Sequence, residues 1–303
     1  TLETTQPEIT ALRLEALSHA SLSGNGAGRG TNGNFILTGL EVTAESAAPD
    51  REPSVAGIEW GTWSSVGPFA AGSSKEAFEK AFLNERQIDL AQSFEGNRLR
   101  WKERPEWKDD AVQALSGDDQ VSYFFRRISV KSARYIRFKT GTDGGLQLWL
   151  NGVPVENGKI FRRVAPAPDE FLVMLNPGEN TLLLKVRHGS GLYGFLFERP
   201  QQAVTRYPVP FSQALADFEQ KDFPVSAVLD DQAATGWGVA GSDPESRGRH
   251  QAIFVPRLPI LFAGGVRLRA KLKFEANTPE QLLGRFRWSA TSASGLAETA
   301  ALP

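Results

Sequence analysis

Thr142–Val155, TDGGLQLWLNGVPV, and Leu175–Val186, LNPGENTLLLKV, carry the clearest structural grammar in the chain. A polar Asp-Gly-Gly turn leads into a run in which Leu146, Leu148 and Leu150 alternate with Gln147 and Trp149. That period of two is the signature of a strand with one apolar face. Asn151-Gly152 then predicts a tight hairpin, because its turn needs positive φ at both central residues and Asn and Gly tolerate it best. Pro177-Gly178 makes a second turn into the alternating run Thr181–Val186. Working outward, the same texture recurs at Ser122–Val130, Tyr135–Thr140, Phe171–Leu175 and Leu192–Glu198. Many short strands separated by regular turns indicate a β-sandwich or jelly roll, so the expected class is all-β.

The strand signal continues outside this region. Thr10–Ala16 and Phe35–Ala44 alternate, as do Ala252–Val255, Val266–Phe274 and Gly284–Thr291. Ser18–Asn34, rich in Gly, Ser and Asn, reads as a loop. Ser73–Phe82 is the best helix, with Ser73 and Glu76 in capping-box spacing and Ala77, Phe78, Ala81 and Phe82 on its apolar face. Ala44–Pro53 and Arg199–Pro210 look like linkers. The segments at either end hold too few strands for a sandwich each, but together they hold about enough. Two sandwiches are therefore expected, one inserted into the other. Residues 1–51 and 203–303 form a discontinuous domain, and residues 52–202 form the insert with its one short helix.

Composition narrows the function classes. The net charge of −1 over 303 residues gives no electrostatic case for nucleic acid as a partner. No apolar run reaches the ~20 residues that span a bilayer. The chain has no cysteine, which removes disulfides, thiolate nucleophiles and Cys-based metal sites. Its opening, TLETTQPEIT, lacks an initiator Met and a signal-peptide pattern and is expected of a mature form or an excised piece. The end, GLAETAALP, reads as a tail. His19, His188 and His250 are the only histidines and fit no HExxH or His-x-His spacing.

The candidate binding residues are aromatic and basic. Arg98–Trp107, RLRWKERPEW, interleaves the two types, a mix suited to stacking on a sugar ring and contacting carboxylate or sulfate groups. Trp107 and Trp101 are its candidate ligand platforms, with Trp149 as a third and the Arg162-Arg163 pair as a grip on an acidic polysaccharide. Trp packed beneath snorkelling Arg and Lys stems would leave the same pattern. Trp60 and Trp63 are open to both readings. Arg126-Arg127 is another basic pair, of which one member should face outward. Asp109, Asp110, Asp118 and Asp119 read as solvated loop acids. No cofactor is required, but Asp230, Asp231 and Asp143 sit in turns that could hold a structural calcium through carboxylate and backbone oxygens. An Asx-type turn without metal fits the same residues.

Two stretches carry a family likeness. Leu12–Thr43, LRLEALSHASLSGNGAGRGTNGNFILTGLEVT, and Phe218–Thr291, with FEQKDFPVSAVLDDQAATGW and LLGRFRWSAT, resemble a segment of large planctomycete proteins that join c-type cytochrome domains to paired domains of unknown function. Ala227–Trp237, AVLDDQAATGW, also resembles the signature of discoidin-type carbohydrate-binding modules. The resemblance implies one galactose-binding-like β-sandwich, with a loop at Asp230 that often holds calcium. GTDGGLQLWLNG and NPGENTLLLKV resemble sugar-binding-like domains of glycosidases and, more loosely, PA14 domains. Sugar-binding PA14 domains use an Asp-Asp pair where this chain has Thr142-Asp143.

The resulting expectation is a non-catalytic pair of carbohydrate-binding modules in an exported bacterial multidomain protein. Its partners would be a polysaccharide, possibly acidic or sulfated in character, and other domains of a larger polypeptide. A docking module contacting those other domains is the alternative, and a polysaccharide-degrading enzyme is the third.

Overall fold

The computed structural model describes residues 1–115, 120–142, 144–161, 168–188, 193–239, 248–276 and 280–293. It is an all-β protein of antiparallel sheets. The chain divides into two compact units, Thr1–Glu52 with Thr205–Pro303, and Pro53–Val204. Among the described residues, no helix is long and apolar enough to cross a membrane.

The Pro53–Val204 unit is a sandwich. One sheet runs in the order Lys102–Arg104, Trp63–Ala70, Gln120–Val130, Gly178–His188, Gly145–Leu150 and Val153–Phe161, with Glu59–Trp60 also paired to Gln120–Val130. The other runs Gln113–Leu115, Tyr193–Glu198, Arg134–Thr142 and Asp169–Leu175. Alternate residues of the two sheets meet in one core. Phe124, Ile128, Leu146, Leu148, Leu182 and Leu184 come from the first, and Ile136, Phe138, Phe171, Val173, Phe195 and Phe197 from the second. Each such side chain, fully buried, contributes about 2 kcal/mol.

The hairpin forms where the sequence places it. Asn151 (φ 52°) and Gly152 (φ 76°) are both in the left-handed region, and Leu150 pairs with Val153 across them. A Cβ at Gly152 would come within 2.1 Å of the Arg86 carbonyl oxygen, so the position needs glycine for space as well as for φ. Asn180, wholly buried, ties this turn to the next. Its Oδ1 accepts from Asn151 Nδ2 (2.9 Å) and Asn176 N (2.9 Å), and its Nδ2 donates to Asn176 O (2.8 Å).

The first sheet also buries its outer face. Val66, Phe69, Val121, Tyr123, Phe125, Trp149 and Leu183 form a second cluster, covered by residues between Ala71 and Trp101. The expected helix is shorter than its pattern, spanning Ser74–Glu79. Ser73 Oγ accepts from Glu76 N, while Glu76 Oε2 reaches back to Gly72 N rather than to the cap residue. The helix stops at Lys80 because Phe82 is drawn onto the sheet: its N–H donates to Tyr123 Oη (3.2 Å) and its ring lies 5.4 Å from that of Phe69.

The Thr1–Glu52 and Thr205–Pro303 unit has two four-stranded sheets. One is Leu2–Thr4, Val266–Lys273, Gly39–Ser46 and Arg206–Pro208; the other is Phe211–Ala216, His250–Pro256, Ala11–Ala16 and Phe286–Thr291. Leu14, Phe35, Leu37, Trp237 and Phe254 lie in its core. Trp237 packs edge-on to Phe35 at 5.1 Å and donates its indole N–H to Phe218 O (2.8 Å).

Candidate functional site

The Pro53–Val204 unit holds a cleft of about 440 Å³ at the edge of its sandwich. Four segments build it. Trp60, Gly61, Thr62 and Trp63 bridge two strands of the first sheet, and Arg126 comes from the adjoining strand. Arg104 to Asp110 supply the loop beyond the short edge strand, and Arg199 follows the last residue of Tyr193–Glu198.

Strand parity explains Arg126. It shares a face with Phe124 and Ile128, so its side chain enters the sandwich, where it is only 2% exposed. Its partner Arg127 points the other way and pairs with Glu179 at 3.0 Å, both side chains more than half exposed. A buried guanidinium needs compensation. Arg126 Nη1 donates to Asp109 Oδ1 (2.8 Å) and Nη2 to Gly61 O (2.8 Å), and the group lies 4.9 Å from the Trp60 ring, 4.5 Å from Trp63 and 5.4 Å from Phe197. Its Nε is buried with no partner among the described residues. Burial pushes the Arg126 guanidinium below its usual pKa; Asp109 opposes the shift and Arg199 adds to it.

Asp109 is the hub. Its Oδ1 also accepts from Trp63 Nε1 (3.0 Å), and its Oδ2 accepts from Arg199 Nε (2.5 Å). With a side chain 6% exposed, it is not the solvated loop acid expected from its polar neighbours; two guanidinium groups and an indole enclose it. Asp110 completes the anchor: its N–H donates to Phe197 O (2.7 Å), and its Oδ1 accepts from Arg199 N (3.1 Å). The loop is thereby fastened to the end of the other sheet.

The groups left facing the cleft are aromatic surface and cations. Trp60 and Trp107 are half-buried. Trp107 is fixed edge-on to Phe124 (5.2 Å) and Phe195 (5.1 Å), with the Arg104 guanidinium 5.3 Å from its ring. Arg199 is 45% exposed and Lys108 is exposed. Arg104, Lys108, Arg126 and Arg199 stand against Asp109 and Asp110, and Glu106 of the same loop pairs with Arg104 (3.5 Å), which leaves a formal surplus of one positive charge among these residues.

Of the candidate ligand residues, Trp107 lies in this cleft. Trp101 and Trp149 do not: both belong to the cluster on the opposite face of the sheet, Trp101 packed on Phe125 at 6.1 Å and Trp149 7% exposed. Trp149 stands one residue after inward-facing Leu148, and the covering segment takes its ring. Arg162, Arg163 and Asp143 lie outside the described residues. Asp230 Oδ1 accepts from Gln232 N (2.8 Å), and both its oxygens accept from the Thr235 hydroxyl. Asp231 sits at φ 57° in the same turn. Among the described residues, no group of three or more His, Cys, Asp or Glu is placed to hold a metal ion. Arg104 lies within the run Arg98–Trp107 that the sequence singles out, whereas Arg199 sits in a linker-like stretch that carries no local sign of convergence.

No family model matches the chain, and no curated protein matches it, so the planctomycete, discoidin and PA14 resemblances gain no support from relatives. Among solved structures it is similar to a GH31 α-xylosidase from Xanthomonas citri, with 8% identity and a TM-score of 0.26. The match covers 82% of this chain, which spans 25% of the xylosidase chain. The expectation of a non-enzyme is not carried forward, the similar protein being a glycoside hydrolase. At that TM-score the likeness carries no activity to the present chain.

Proposed function

We propose that the chain binds an acidic polysaccharide in the cleft lined by Trp60, Trp107, Arg104, Lys108 and Arg199. The observation that carries this is the pairing of partly buried indole surface with a surplus of cations in one pre-organised cleft. Indole surface packs on the C–H face of a sugar ring, and guanidinium groups donate to carboxylate or sulfate oxygens. Asp109 and Arg126 hold the frame rather than the ligand, because their charges already face each other. A volume of about 440 Å³ falls within the usual range for small-molecule sites. The exported location and the larger polypeptide expected from the sequence belong to the same proposal.

Affinity electrophoresis in gels containing polygalacturonate, with a neutral glucan as control, tests it. Retention by polygalacturonate alone is expected, and it should weaken as salt rises because the cations are exposed. Lys108→Glu and Trp107→Ala should each weaken it at least about tenfold, ~1.4 kcal/mol. Arg127→Ala, outside the cleft, should leave it unchanged. Equal mobility in both gels, or retention indifferent to Lys108→Glu, would overturn the proposal.

A further inference from the structure

A second cavity, of about 230 Å³, adjoins the first. It is lined by Ser65, Gly67, Pro68, Leu115, Ser122 and Phe124, among others, and shares Arg104 and Trp107 with the larger cleft. We infer that the two cavities are consecutive subsites of one groove, and that the ligand is an extended oligosaccharide crossing the Trp107–Arg104 partition rather than a single sugar. The inference rests on the glycan reading above and deepens it.

Three observations carry it. The first is the run of the groove along one strand. Ser122, Phe124 and Arg126 share a face of Gln120–Val130; Arg126 lines the first cavity, while Ser122 and Phe124 line the second. Four residues of strand span ~13 Å, longer than any one sugar ring.

The second is the fixed partition. Arg104 Nε donates to Ser65 Oγ (2.8 Å) in the second cavity, while its guanidinium lies over the Trp107 ring. Trp107 is in turn set against Phe124 and Phe195. A rigid indole bordering both cavities can contact two neighbouring rings without reordering.

The third is a local irregularity that makes room. The register between Trp63–Ala70 and Gln120–Val130 shifts between Val121 and Tyr123. Opposite the shift, Gly67 (φ 127°) lies so close that a Cβ would come within 2.9 Å of Val121 O and 3.0 Å of Ser122 Oγ. The extra residue falls in Trp63–Ala70, where Gly67 and Pro68 together oppose Ser122; such a bulge bends its strand and locally disrupts the ladder, and all three residues line the second cavity. The two cavities also differ in charge. Among the described residues, Arg104 is the only ionisable one lining the second, whereas the first also holds Lys108 and Arg199, so the acidic group is read in the first.

The test is calorimetric titration with galacturonate monomer, dimer and pentamer. Wild-type protein should bind the pentamer at least about tenfold tighter than the monomer. Ala114 is exposed and lines only the second cavity. Ala114→Trp should fill that cavity, and Ala114→Glu should repel an acidic chain there. Each should bring pentamer affinity to within about threefold of the monomer while leaving monomer binding unchanged, and the pair guards against one variant failing to fold. Pentamer binding no tighter than monomer binding, or Ala114 variants that bind as wild type does, would overturn the groove and leave the glycan reading standing. Wild-type protein that binds no galacturonate of any length would overturn both.

Discussion

Asp109 shows how much one side chain can decide. It satisfies Trp63, Arg126 and Arg199 at once, and it ties the Arg104–Asp110 loop to two strands. Removing its charge while keeping its shape would leave Arg126 buried without a counterion. A buried pair broken from one side costs about 3–5 kcal/mol. Asp109→Asn should therefore lower unfolding stability by ~3 kcal/mol in urea titration, whereas Arg127→Ala, which removes an exposed pair, should change it by less than about 1 kcal/mol. Equal effects of the two substitutions would mean that the Arg126 pair is not a structural centre. Little of this was legible in the sequence. Asp109 sits in WKDD, whose composition is that of a solvated turn, and its three partners lie 46, 17 and 90 positions away. Arg126 could be read as one inward member of a pair, because strand parity is local, but its counterion could not. Trp107 was legible as a platform because aromatic and basic residues alternate around it.

At the scale of elements, the hairpin at Asn151-Gly152 and the alternation on both sides of it carried the fold class, because each signal is set by residues within a few positions of one another. The covering segment was hidden for the opposite reason. Gln120–Val130 is buried on both faces over Val121–Phe125, and sequence alone does not say what packs on the second face. That is why Trp149 and Trp101 looked available for a ligand. The two turns of the sandwich are joined by Asn180, whose amide satisfies backbone and side-chain groups of both. Asn180→Ala would strand several buried polar groups, each worth about 1–3 kcal/mol. A loss of ~3 kcal/mol in thermal or urea unfolding is expected. A loss below about 1 kcal/mol would show that the turns hold themselves without it.

Across the whole molecule, each of the two units carries its own apolar core, and every residue lining the cleft lies within Pro53–Val204. With a net charge of −1, the chain as a whole has little long-range field to draw an anion, so recognition rests on the local surplus of cations at the cleft. The seven tryptophans are distributed in a way that makes this directly visible. Trp60 and Trp107 line the cleft partly buried and Trp63 lines it buried, Trp149 and Trp237 are buried elsewhere, Trp101 packs on the covered face of the sheet, and Trp288 packs against the core of the other unit. The most direct measurement is the set of indole N–H signals in a two-dimensional NMR spectrum during titration with pentagalacturonate. The signals of Trp60 and Trp107 should shift in a saturable way with ligand, while those of Trp149, Trp237 and Trp101 stay in place. Saturable shifts confined to Trp101, Trp149, Trp237 and Trp288, or none at all, would contradict a glycan site in this cleft.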